Sequence, residues 1–191
     1  MNELNKILEE LVGFTKKECE VFCSQLKKQE YKAKSLLIKE GKIADNLYFI
    51  ESGLFRTYKN LDEKNITTYF ACDNQFITIF NSFINQTNSL ETLEAIEDSI
   101  VYEISFSNLS TLYNTSSNFE KFGRILAEKN HICALERNLT MQTKSAKIRY
   151  LDFLKNYNKK IIRRAPQYQI ASFLGIASES LSRIRKEIFI S

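Results

Sequence analysis

The chain has 191 residues, 43% of them hydrophobic and 12% aromatic, which is enough apolar mass for one large packed domain or two modest ones. No run approaches the roughly eighteen apolar residues of a membrane span, and the N-terminus lacks the uninterrupted apolar stretch of a signal peptide; the expectation is a cytoplasmic protein without a membrane partner. The formal charge of +4 is divided unevenly: residues 141–191 hold eleven Lys or Arg against three Asp or Glu, so a basic module of +8 follows an acidic one of −4.

Four cysteines, Cys19, Cys23, Cys72 and Cys133, are few for a disulfide framework in a chain of this length, and reduced thiols are expected. Only Cys19 and Cys23 are close, one helical turn apart, and His131 is the single histidine, so neither a metal site nor a cofactor is identified. With no nucleophile motif and no glycine-rich phosphate loop either, the pattern does not read as an enzyme.

In chain order, residues 1–27 read as helical. Leu4, Ile7, Leu8 and Leu11 form one stripe, and Thr15 to Glu18 is a capping box that starts a second helix through Val21, Phe22 and Leu26. From Tyr31 to about Ile104 the period changes: Ser35–Lys39, Asn46–Glu51, Leu54–Lys59, Asn65–Cys72 and Ile100–Ile104 are short segments rich in branched and aromatic residues, separated by turn residues. Strands at this spacing predict a β-sandwich or barrel of the jelly-roll kind. Within them, Phe76, Ile77, Ile79, Phe80, Phe83 and Ile84 are read first as core and second as the lining of an apolar pocket.

A polar stretch, Asn108 to Asn118, leads to a long helix over about Phe119 to Gln142. Ile125, Ile132 and Leu139 recur every seven residues with Leu135 between them, the pattern a two-stranded coil buries, although Glu128 interrupts the second set of positions. Packing against the strands is the other use for this helix, and both can hold. Ile148, Leu151, Leu154 and Tyr157 mark a further helix from Ser145, and the boundary before it falls near Thr140 to Lys144. Asn158 to Arg164 reads as a basic loop or short wing, either a solvated connector or a phosphate contact.

The last stretch, Pro166 to Ile190, is a helix-turn-helix pattern. Ile170, Ala171 and Leu174 share one helical face, Gly175 supplies a tight turn, and Ser178 can cap a second helix with Leu181, Ile184 and Ile188 on its inner stripe. Glu179, Ser182, Arg183 and Lys186 project from the opposite side, the division needed by a helix that seats in a DNA major groove. The bland alternative is a solvated helix in an ordinary α-hairpin.

Together with this pattern, Gly41-Lys42-Ile43-Ala44-Asp45-Asn46-Leu47-Tyr48-Phe49-Ile50-Glu51-Ser52-Gly53 resembles the cyclic-nucleotide-binding domain of the Crp-Fnr family of bacterial transcription regulators. The resemblance implies an α+β fold: an N-terminal jelly-roll β-roll sensor with flanking helices over 1–117, a long dimerisation helix over 118–142, and a C-terminal (winged) helix-turn-helix domain over 143–191. It implies a homodimer through residues 119–142, double-stranded DNA carrying an inverted repeat as partner, contact with RNA polymerase, and a small-molecule effector of unknown identity. The family's recognition pattern falls on Ser178-Glu179-Ser180-Leu181-Ser182-Arg183, with Glu179 and Arg183 as base readers, Ser178 in place of the leading Arg, and Arg185 and Lys186 beside them for phosphate. In the phosphate cassette, Ile77-Thr78 stands where the family has Gly-Glu and Ser89-Leu90 where it has Arg followed by Ser or Thr, and no Arg lies between Phe76 and Tyr102. Cyclic AMP is therefore not expected to bind in the family's usual way. The alternative function is a β-roll that binds a small ligand or a protein and no longer reads DNA.

Overall fold

The computed structural model describes residues 1–62 and 64–190. It opens with α1 (Asn2–Val12), closed by Gly13 in the left-handed region, and α2 (Lys16–Ser24). The expected capping box is present: the Glu18 N–H donates to Thr15 Oγ1 at 3.2 Å, and the Thr15 N–H donates to Glu18 Oε2 at 2.9 Å.

The strands that follow are β1 (Lys27–Tyr31), β2 (Leu36–Ile38), β3 (Asn46–Ser52), β4 (Leu54–Leu61), β5 (Lys64–Cys72), β6 (Phe76–Ile77), β7 (Thr92–Ala95) and β8 (Ser99–Ser105), with helix α3 (Phe80–Asn85) between β6 and β7. They form two antiparallel four-stranded sheets, ordered β1-β8-β3-β6 and β2-β7-β4-β5. Leu47, Phe49, Phe55, Ala71, Leu93 and Val101 fill the roll between them. The five expected strands are all present. β1, β6 and β7 are additional: β1 is a charged edge strand without apolar alternation, and the other two are too short to show a period.

Side-chain alternation assigns β4 and β5 to two different cores. Phe55 and Ala71 point into the roll, whereas Leu54, Phe70 and Cys72 point out and pack beneath the C-terminal helices with Phe153, Ile170 and Phe173. A strand covered on both faces reads as a continuous apolar run, as Tyr69 to Cys72 does. Each fully buried Phe or Leu here contributes about 1.5–3 kcal/mol relative to exposure.

The first part of the polar stretch Asn108 to Asn118 lies in α4 (Phe106–Tyr113): Ser105 Oγ accepts from the Asn108 N–H, and Leu109 and Leu112 are buried one turn apart. The long helix is α5 (Ser117–Thr143), 27 residues. After it come α6 (Ala146–Asn156), α7 (Lys159–Arg164), α8 (Gln167–Phe173) and α9 (Ser178–Ile190). The basic loop or wing expected at Asn158 to Arg164 is corrected to helix α7, because Asn158 Oδ1 caps it by accepting from the Lys160 N–H at 2.8 Å and Ile161 is buried against the sheet. Among the described residues no strand follows Ser105, so they contain no wing.

Candidate nucleic-acid interface and the cavity beside the long helix

The α8 to α9 connection is set by Gly175, whose φ of +61° lies in the left-handed region. A Cβ at this position would lie 2.8 Å from Met141 Cε, the end of a flexible side chain that can shift, so it is the backbone conformation that asks for glycine here. The Gly175 N–H donates to Ser172 O, and the Ile176 N–H donates to Ala171 O at 2.9 Å. Ile170, Ala171, Phe173, Leu174, Ile176, Leu181 and Ile184 share one core, so the expected inner stripe faces inward. Ser178 is the first residue of α9, and the Leu181 N–H donates to Ala177 O at 2.9 Å.

On the other side of α9, Ser178, Glu179, Ser182, Arg183 and Lys186 are exposed, and Ser180 and Arg185 are half-buried. The seven residues singled out from the sequence thus lie along one helix, five of them exposed. Lys155, Lys159, Arg163 and Arg164, on α6 and α7, are exposed as well, and Tyr168 on α8 is 59% exposed. The sequence reading did not single out Tyr168, although its place opposite Ile170 and Ala171 on a short helix marks it as outward.

The C-terminal helices are held to the rest of the chain by polar contacts that no local pattern reveals. Arg149 Nη1 donates to Met141 O and Lys144 O, each at 3.2 Å, and its Nη2 donates to Gly175 O at 3.2 Å, tying the end of α5 to the α8–α9 turn. Ser172 Oγ accepts from the Thr67 N–H at 2.9 Å and donates to Asn65 O at 3.0 Å, closing the free edge of β5. Lys160 Nζ lies between Asp73 Oδ1 at 2.6 Å and Glu97 Oε1 at 2.8 Å. Burial pulls this ammonium down, but its hydrogen bonds to the two carboxylates outweigh that and hold it above its usual value.

Along α5 two faces separate. Leu126, Cys133, Arg137 and Met141 face the roll, while Ile132, Leu135 and Leu139 are 53%, 55% and 61% exposed on the other side. Ile125, the first of the seven-residue series, packs partly against the roll core. Glu128 is exposed and pairs with Arg124 at 2.6 Å.

Between α5, α1, β4, β5 and the segment after β5 lies a cavity of about 550 Å³. Of the six apolar residues read as core or pocket, Ile77, Ile79 and Phe83 are buried, Phe76 and Phe80 are half-buried on the cavity wall, and Ile84 is exposed. Ser89 is 2% exposed, and its hydroxyl is used up by Glu91, donating to Glu91 O and accepting from the Glu91 N–H. Arg56 of the roll is committed elsewhere: Nε and Nη2 reach Glu94 Oε2, directly across the sheet, at 2.8 and 2.7 Å. Cys19 is buried and Cys23 half-buried beside Asn5, both as free thiols. His131 is exposed.

Residues 28–116 match the family model of the cyclic nucleotide-binding domain. No curated protein matches the chain. Among known structures, FixK2 from Bradyrhizobium japonicum is similar with a TM-score of 0.74 at 19% identity, covering 86% of this chain and 85% of that one. A candidate transcriptional regulator of the Crp/Fnr family from Eubacterium rectale gives 0.70 at 16% identity, covering 93% and 84%. The catabolite activator protein of Thermus thermophilus gives 0.58 at 17%, covering 95% and 85%. No helix among the described residues is long and apolar enough to cross a membrane. The chain therefore carries a cyclic-nucleotide-binding-type β-roll at residues 28–116, in a mixed α+β fold shared with Crp/Fnr-type regulators.

Proposed function

We propose that the protein is a homodimeric, sequence-specific DNA-binding transcription regulator. In this reading, residues 1–117 are the sensor roll, 118–142 pair two chains, and 143–191 read DNA. The observation that carries it is the two-sided character of α9: Leu181 and Ile184 are buried, while Glu179, Ser182, Arg183 and Lys186 stand in solvent on a basic module. Arg183 donates a bidentate pair to guanine, and Glu179 accepts from the amino group of cytosine. Lys186 and Arg185 supply phosphate contacts, with Arg163 and Arg164 on α7 as further basic residues in reach of the backbone. The exposed Ile132, Leu135 and Leu139 support pairing through α5, since three large apolar side chains on one face gain by mutual burial.

Selection from a random-sequence duplex pool by the full chain, with excess nonspecific competitor, tests this reading. The expected product is an inverted repeat with half-sites about one helical turn apart. Recovery of duplexes without a shared sequence would reject it in favour of a roll whose C-terminal helices serve another purpose.

A further inference from the structure

Between α5 and α6 stand only Lys144 and Ser145, both in extended backbone. Extended residues turn readily within a broad region of φ and ψ, so contacts outside the link must fix how the C-terminal helices sit relative to α5. The tolerance is small. α9 is 13 residues long, about 20 Å, and a swing of about 10° moves its far end by about 3.5 Å, close to one base-pair step.

Arg149 stands at that link. From the first turn of α6 its Nη1 donates to Met141 O, one of the carbonyls that the end of α5 leaves without a helical partner, and to Lys144 O in the link, each at 3.2 Å. Its Nη2 donates to Gly175 O at 3.2 Å, in the turn that leads into α9. A guanidinium is a planar, rigid fork, so it fixes direction as well as distance in what it holds. Its positive charge is also favoured at the C-terminal end of α5 by the helix dipole. The Arg149 Nε is buried with no hydrogen-bond partner, so the side chain keeps this position against a cost.

The other contacts of this region set direction less well. Lys147 with Glu187 at 3.5 Å and Lys144 with Asp152 at 2.6 Å are solvent-facing pairs of flexible side chains. The apolar core beneath the C-terminal helices is non-directional. Arg137 of α5 donates to Phe173 O at 3.0 Å and pins the end of α8 at one point. Gly175 O is a second point, and without it the turn can pivot about the first. We infer that Arg149 is the positioning residue that fixes α9 relative to α5, and that in the dimer it thereby sets the separation at which two half-sites are read. This second part rests on the reading of α5 as the pairing helix and α9 as the recognition helix.

Residual dipolar couplings of the backbone amides, measured on the full chain without DNA, test the first part. In the wild type the couplings of α5 and α9 should fit one alignment frame. Arg149→Met keeps the aliphatic stem and removes the donors, and Arg149→Lys keeps the charge without the fork. In both, the couplings of α8 and α9 should shrink relative to those of α5, while β3 and β8 keep theirs; Arg149→Lys carries the test if Arg149→Met fails to fold. Variants in which α5 and α9 still share one frame, or a wild type in which they do not, would overturn the positioning role. The second part is tested by anisotropy on the selected inverted repeat with its spacer lengthened or shortened by one base pair. The wild type should lose about tenfold in affinity for either change and Arg149→Lys less than about threefold, with the salt slope on nonspecific duplex the same for both. A wild-type spacer preference in Arg149→Lys, or a lowered salt slope that makes Arg149 a phosphate contact, would overturn it. A wild type indifferent to the spacer would reject the symmetric reader and this second part with it, while the dipolar couplings, taken without DNA, still decide the first.

Discussion

Ser172 and Thr67 are 105 residues apart in sequence, yet the Ser172 hydroxyl of α8 accepts the Thr67 amide proton of β5 at 2.9 Å and passes its own proton to Asn65 O. The free edge of the β4–β5 sheet is thereby completed by a helix, and Arg137 adds a donor to Thr67 O. The C-terminal helices are seated on the outer face of the roll by these bonds, by the Lys160 bridge to Asp73 and Glu97, and by the shared core of Leu54, Phe70 and Phe173.

Replacing Ser172 by Ala strands the part-buried Thr67 edge amide, while the exposed Asn65 carbonyl can turn to water. The expected loss is about 1–3 kcal/mol. Hydrogen exchange gives the local check: the Thr67 amide should exchange faster in Ser172→Ala, while amides of β3 and β8 keep their protection. Equal Thr67 protection in both proteins would show that the seat is not maintained in solution.

Gly175→Ala meets one main obstacle. The positive φ costs a side chain about 1 kcal/mol or more, whereas the new Cβ would meet only Met141 Cε, the far end of a flexible side chain that can shift. Urea unfolding should therefore show a clear loss of stability in Gly175→Ala. Combining it with Met141→Ala should leave the two effects additive within about 0.5 kcal/mol. A larger coupling would mean that Met141 is held rigidly against the turn.

Glu18 joins the start of α2 to the start of α5. The Thr15 N–H donates to its carboxylate, and so do Ser116, the Thr15 hydroxyl and Asn118; these bonds outweigh burial and hold its pKa at about 2, below the ordinary 4.5 of a glutamate. A depressed carboxyl pKa stabilises the fold above the unfolded value and loses that effect as pH falls through the folded one. Glu18→Gln should thus be less stable than wild type by about 1 kcal/mol at neutral pH. The gap should narrow between pH 4.5 and about 2. Thermal unfolding across that range checks it, and a gap independent of pH would remove the carboxylate from the account.

On α9, Arg183→Ala should cost about 1–3 kcal/mol on a specific site and relax the preference at one base pair. Lys186→Ala should weaken binding to all sequences similarly and reduce the salt slope by about one. Titration of both variants against the selected site and single-base variants of it separates these roles, and an Arg183→Ala protein with unaltered specificity would take Arg183 out of base reading.

Much of this was legible because periodicity reports burial. The capping box at Thr15, the inner stripe at Leu181 and Ile184, and the strand at Leu54–Lys59 all follow from local spacing and composition. α4 and α7 were hidden for a local reason too: their polar and basic composition masks single buried residues, Leu109, Leu112 and Ile161. What the sequence could not show is long-range. Neither the pairing of Arg56 with Glu94, nor Arg149 on the turn at Gly175, nor Arg137 between the cavity and Phe173 leaves any spacing signal, because each partner is set by the tertiary fold. Exposure of Ile132, Leu135 and Leu139 was likewise undecidable while α5 had two uses.

The central claim is a symmetric DNA reader, and the most direct measurement is fluorescence anisotropy of the full chain on the selected inverted repeat and on a duplex with one half-site displaced by half a helical turn. The account predicts two chains per duplex on the intact repeat and an affinity at least ~1,000-fold above nonspecific DNA, lost when the half-sites are moved out of phase. One chain per duplex, or equal affinity for the intact and displaced repeats, would contradict it.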